Sequence, residues 1–170
     1  MALQLSIGPL PRGLAAQALP LVRSLRPDLT LEEWQSYLDL VDTGSKDGEE
    51  PALSGVMAVR DHGGYLHGLF TYTVAEDIIH GRALQAENVL AVDLLGRDDA
   101  ARLMVEEMER LAVLHRCGAV HVTVADDRAT PPRSVSSLMG RLLATGHVVD
   151  GIRLCRPVGT GVSQLAGARP

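Results

Sequence analysis

Cysteine, lysine and net positive charge are all scarce in this chain of 170 residues. Two cysteines occur, Cys117 and Cys155, too few to staple a chain of this length. A disulfide scaffold is thereby excluded, and a reduced, cytoplasmic setting is expected. Lysine is represented by Lys46 alone, the rest of the 16 basic residues being arginine, a bias that reflects codon usage rather than chemistry. Against those 16 stand 21 acidic residues, giving a net charge of −5 and no electrostatic footprint of a nucleic-acid binder. Long apolar runs are also missing. The stretch from Leu10 to Val22 is interrupted by Pro11, Arg12 and Pro20 and has no basic leader, so neither a signal peptide nor a membrane span is expected. Nucleic acid and membrane drop out as expected partners.

What the chain does have is core-forming material, 46% hydrophobic against 22% charged residues. That suffices for one domain, expected over residues 1–158, with a flexible C-terminal tail over 159–170. Its organising stretch runs from Glu87 to Asp127 and reads as strand, turn, long amphipathic helix and second strand. Along the helix Ala101, Met104, Val105, Met108, Leu111, Ala112 and His115 form one stripe, while Arg102, Glu106, Glu107, Glu109 and Arg110 cover the other side. Gly118 stops the helix, and the β-branched run Ala119 to Val124 follows. The unit points to an α/β (α+β) fold.

Taken in order, Leu3 to Ile7 is an opening strand ended by Pro9-Leu10-Pro11. A helix from Leu14 must bend or split at Pro20. Thr30-Leu31-Glu32-Glu33 has the form of a capping box and starts a second helix that buries Leu31, Trp34, Tyr37, Leu38 and Val41. Leu53 to Val59 and Tyr65 to Val74 form a hairpin around Gly63-Gly64. Ala75 to Arg82 is a polar connection into a strand from Leu84 to Leu94. Beyond a Pro131-Pro132 loop, a helix from Ser134 to Ala144 ends at Gly146, and His147 to Arg156 is expected as a final strand.

This order of elements, with its longest helix after the fourth strand, resembles the GNAT superfamily of N-acetyltransferases across nearly the whole chain. The resemblance implies a mixed, mostly antiparallel central sheet flanked by helices on both faces. In that family the turn after the fourth strand carries Gln/Arg-x-x-Gly-x-Gly/Ala, and its amides hold the pyrophosphate of acetyl-CoA at a helix N-terminus. Laid on Gly96 to Ala101, the motif is met only at Ala101; laid on Arg97 to Arg102, it regains the leading Arg but has Ala100 and Arg102 at the small positions. Neither register supplies the glycine. Asp98 and Asp99 put negative charge where phosphates would approach, and either would equally cap the helix. By the resemblance, amides around Gly96, Arg97, Ala100, Ala101 and Arg102 would hold the phosphates of acetyl-CoA, and strand edges at Val92, Leu94 and Val124 would face its pantetheine arm.

The resemblance also implies a general base on the fourth strand, for which Glu87 and Asp93 are the candidates. Their shared parity puts both on one face if no bulge intervenes. The alternative for each is a solvated charge at a strand end. Trp34, Tyr37 and Tyr65 are the candidate acceptor-side residues. The family's proton-donating tyrosine on the last helix corresponds to Leu142, a core residue by type, leaving a serine (Ser134, Ser136 or Ser137) or water for that task. His62 and His67 flank the hairpin turn, and Cys155 has no base beside it in sequence. His115, Cys117 and His121 are close in sequence but diverge across a helix end and a strand, so no metal site is expected.

Two functions follow. One is acyl transfer from acyl-CoA to a small-molecule or peptide amine. The other is a GNAT-fold binding or regulatory module that has lost the coenzyme A site, favoured by Asp98, Asp99 and Leu142. A homodimer whose chains complete one another's sheets is compatible with either.

Overall fold

The computed structural model describes residues 4–41, 51–92, 99–124, 133–151 and 153–155, and only the backbone of 133–137. Five strands form one sheet in the order β1-β2-β3-β4-β5: β1 (Leu5–Pro9), β2 (Ser54–Asp61), β3 (Leu66–Asp77), β4 (Gly81–Ala91) and β5 (Ala119–Val122). The first three pairings are antiparallel and β4 pairs β5 in parallel. The helices are α1 (Ala15–Val22), α2 (Leu31–Val41), α3 (Asp99–Leu114) and α4 (Arg133–Ala144).

The central strands are apolar on both faces because both are covered. In β2, Val56 and Ala58 join Ala15, Ala18, Trp34 and Leu38 of α1 and α2 in one core. The alternating Met57 and Val59 join Phe70 of β3, Leu84 of β4, Met104 and Met108 of α3, and Leu142 of α4 in the other. Helix α2 begins at the expected capping box. Thr30 N–H donates to Glu33 Oε2 at 2.9 Å and Glu33 N–H donates to Thr30 Oγ1 at 3.2 Å. The Thr30 amide first, and then Arg26, whose Nη2 donates to Glu33 Oε1 at 2.6 Å, lower the pKa of the Glu33 carboxyl to about 2.

Several expectations are corrected. The α1 helix continues through Pro20 to Val22 as one element. The polar connection after Val74 is largely strand: β3 and β4 stay paired out to Glu76↔Arg82 and Asp77↔Gly81, with Gly81 at φ +77°. Glu107, expected on the solvent side of α3, is buried, its carboxylate held by Arg110 at 2.7 and 2.8 Å. No strand occurs between His147 and Cys155 among the described residues; Asp150-Gly151 interrupts that run, and Val148, Val149 and Leu154 are exposed. Residues 159–170 and the expected loop over 125–132 lie outside the described residues.

Candidate active site

Strand β4 behaves differently at its two ends. From Ala83 to Ala86 it pairs on both sides, with β3 and, through Ala83↔Ala119 to Ala86↔Val122, with β5. The last bond to the β5 side is Thr123 N–H to Ala86 O at 2.8 Å. Beyond it, among the described residues, β4 keeps pairing with β3 alone, as far as Gly68↔Ala91. In the same place the register slips, from Thr71↔Glu87 to Leu69↔Leu90, so Asn88 and Val89 oppose the single residue Phe70. Asn88 takes φ +51° there, a conformation that asparagine tolerates better than most side chains. The shared facing of Glu87 and Asp93 is conditional on an unbroken strand, and this bulge breaks the strand between them. Asp93 itself, with Leu94, Gly96, Arg97 and Asp98, lies outside the described residues.

The bulge turns Asn88 toward the helices. Its Nδ2 donates to Thr71 Oγ1 at 3.1 Å and to Tyr37 Oη at 3.3 Å, and Thr71 Oγ1 donates to Glu87 O at 3.0 Å. These three side chains line a cleft of about 610 Å³ between α1, α2 and strands β3 and β4. The rest of its wall is mainly apolar, including Leu25, Leu29, Leu40 and Leu69, with Glu32 and Arg26 also on the lining. Tyr37 stacks on Trp34 with ring centroids 5.6 Å apart and planes 16° from parallel. Trp34 is only 2% exposed and donates Nε1–H to Ala15 O at 3.1 Å, so it acts chiefly as a buried wall behind Tyr37. An amine on an apolar body would find burial here together with a few oriented acceptors.

Sequence reasoning singled out Tyr37 and Trp34 for this wall, and missed Asn88 and Thr71. The signal for Asn88 was a side chain tolerant of positive φ in the middle of an apolar strand. Tyr65 stands apart, 72% exposed at the β2–β3 turn, and is not on the cleft wall. Glu87 opposes Thr71 across the ladder, which gives the two side chains the same face of the sheet. It is half-buried, and Arg153 Nη1 donates to its Oε1 at 2.5 Å. His67 is fixed away from the cleft, its Nε2 2.9 Å from Asp61 Oδ2, and that bond holds the Asp61 carboxyl below its ordinary value.

Val92, expected to offer its strand edge to the pantetheine arm, instead donates its N–H to His67 O of β3 at 2.8 Å, and Val124 packs against the α3/α4 core. Ala100 and Ala101 bury their side chains under α3. Because α3 begins at Asp99, the amides of its first turn have no acceptor within the helix. Arg102 spends its guanidinium on Glu106, with Nη1 donating at 2.9 and 3.0 Å. Leu142, at the place of the family tyrosine, is buried in the core. Ser134, Ser136 and Ser137 lie on α4 with side chains outside the described residues.

A mixed sheet whose fourth strand bulges and parts from the fifth, with a long helix crossing between them, decides the architecture. The chain has the GNAT fold. Its structural relatives agree. Glucosamine-6-phosphate N-acetyltransferase of Arabidopsis thaliana is similar at a TM-score of 0.68 over 92% of this chain and 99% of that one, at 12% identity. A transcriptional regulator of Bacillus halodurans is similar at 0.68 over 91% and 100%, also at 12% identity. An aminoglycoside N-acetyltransferase in complex with CoA matches at 0.66 over 92% and 97%, again at 12% identity. At such identities the GNAT likeness is one of fold. No sequence-family model and no curated protein sequence matches the chain. Among the described residues no helix is long and apolar enough to cross a membrane.

Proposed function

We propose that this GNAT-fold chain transfers an acyl group from acyl-CoA to an amine carried on an apolar body. The observation that carries the reading is the Asn88–Val89 bulge, placed where β4 leaves β5. On one face it builds the cleft of Tyr37, Thr71 and Asn88, and on the β5 side it leaves a strand edge with no partner strand among the described residues. The N-terminus of α3, by its dipole, would face the phosphates of the donor; Asp99 in that turn and the engagement of Arg102 by Glu106 count against tight binding. Acyl-CoA would supply a thioester whose acyl carbon passes to the amine nitrogen, with the thiol released. Tyr37 and Asn88 would orient the amine. Glu87 would take its proton, directly or through water, once Arg153 gives up Oε1. Leu142 offers no proton, so the leaving thiolate would be protonated by solvent.

The second reading, a binding or regulatory module of the same fold, is favoured by Leu142 in the core and by the acidic start of α3. Calorimetric titration of acetyl-CoA into the purified protein, beside an Asp98→Gly/Asp99→Gly double variant, separates the two. Micromolar binding by the unaltered chain, followed by amine-dependent thiol release that Glu87→Gln abolishes, is expected. Binding by the double variant alone would move the protein to the second reading.

A further inference from the structure

The far end of the sheet carries a cluster that the acyl-transfer reading does not use. Asp77 ends β3, His80 lies in the three-residue turn before β4, and His121 lies on β5 opposite Gln85. One ligand atom from each lies within 4.8 Å of the others. His80 Nδ1 is 3.1 Å from Asp77 Oδ1, and the two imidazole rings meet edge to face with centroids 5.3 Å apart. Asp150 approaches from the C-terminal side, its Oδ2 4.0 Å from His121 Nε2, too far for a hydrogen bond.

Two observations separate this group from a chance surface cluster. His121 Nε2 is shut off from solvent and has no hydrogen-bond partner among the described residues, a costly state for a polar atom, and the carboxylate nearest it is that of Asp150 at 4.0 Å. The backbone beneath is also clamped. Gly118 N–H donates to Arg82 O at 2.7 Å, and a Cβ on Gly118 would stand 2.4 Å from His80 O, so the turn lies directly on the start of β5. His80 and His121 are thus held by paired backbone rather than by a free loop. Asp77 is fixed in place by the turn itself, its Oδ1 accepting from the backbone N–H groups of Ile79 at 2.9 Å and His80 at 2.7 Å.

We propose that Asp77, His80 and His121, with Asp150 as fourth ligand, bind one divalent transition-metal ion of the zinc class. Two imidazoles and two carboxylates suit that class, and the two negative charges balance the dication. Bonds near 2.0–2.1 Å imply ligand atoms roughly 3.3 Å apart, so closure needs shifts of about 1 Å by the side chains. The ion would pin the β3–β4 turn to β5 and give His121 Nε2 its missing partner. It stands at the opposite end of β4 from the bulge, so its role is architectural and independent of the acyl-transfer reading.

The test uses the full, untagged chain stripped with a chelator, titrated with zinc chloride by calorimetry and with Co²⁺ followed by visible absorption. One ion per chain, a tetrahedral Co²⁺ band and a zinc-dependent rise in melting temperature are expected. His80→Gln and His121→Gln should each weaken zinc at least about tenfold. Asp150→Asn, a change at an exposed side chain, should weaken it as well and decides the matter if a histidine variant fails to fold. Cys155→Ser should leave binding unchanged. Absence of binding, binding indifferent to His121→Gln and Asp150→Asn, or loss of binding in Cys155→Ser would overturn the proposal.

Discussion

The two halves of β4 share one strand and one set of neighbours but are built for opposite purposes. From Ala83 to Ala86 the strand is paired on both sides, and the turn before it packs on the start of β5 so closely that Gly118 has no room for a side chain. From Glu87 to Ala91 it is paired, among the described residues, on one side only, its register is broken, and Asn88 sits at positive φ. Backbone pairing satisfies polar groups and excludes ligands together. A strand that must offer both a rigid frame and an open edge can do so only by changing partners along its length. The difference also locates the polar side chains that can act: Thr71, Asn88 and Tyr37 at the open end, Asp77, His80 and His121 at the sealed one.

The sealed half is the easier to break. Gly118→Ala forces a Cβ against the His80 carbonyl, a backbone atom that cannot swing away, and should cost about 1–3 kcal/mol or more in urea unfolding. Gly13→Ala, where a Cβ meets open space, serves as the control. At the open half the same measurement should give a smaller loss. Asn88→Val pushes a β-branched residue into positive φ and should cost about 1–2 kcal/mol. Asn88→Gly accepts that backbone and loses only side-chain bonds, so stability should change by about 1 kcal/mol or less while amine binding in the cleft falls. If Asn88→Gly proved as damaging as Gly118→Ala, the contrast between the two halves would fail.

The smallest effect is a pH dependence beside the sealed end. His115 is buried, and burial first, then the positive Arg82 and Arg110, lowers its tendency to protonate. In the unfolded chain it takes a proton at about pH 6.5, whereas the folded chain resists to lower pH. Stability is therefore full above that unfolded value and is lost as pH falls through the folded one. Urea midpoints measured from about pH 7.5 to 5 should decline, and His115→Gln should flatten the decline. A slope unchanged in that variant would assign the effect to other groups.

Features that depend on a few adjacent residues were legible. The Thr30–Glu33 capping box, the buried stripe of α3 and the core position of Leu142 follow from helical spacing, and each is found as expected. Features that depend on a partner strand were not. The polar stretch after Val74 reads as a connection because nothing in it reveals that Glu76 will face Arg82 across a ladder, their side chains meeting at 3.0 Å. Likewise, parity gives Glu87 and Asp93 a common face only along an unbroken strand, and the bulge at Asn88 that interrupts it is a slip against β3. Glu107 looked like a solvated charge because its i+3 partner Arg110 can follow it into a buried position only once α3 lies on the sheet.

Local sequence by itself determined the order of most elements, the faces that α2 and α3 bury, the cap of α2 and the acidic start of α3, since these depend on backbone preference and on spacing within one turn or one strand. Tertiary structure alone decided the slip of β4 against β3, the parting of β4 from β5, the meeting of Asn88 with Tyr37, and the approach of Asp77 and His80 to His121. Each of these is a relation between segments distant in the chain, fixed by which backbone groups find partners and which side chains share the space left over.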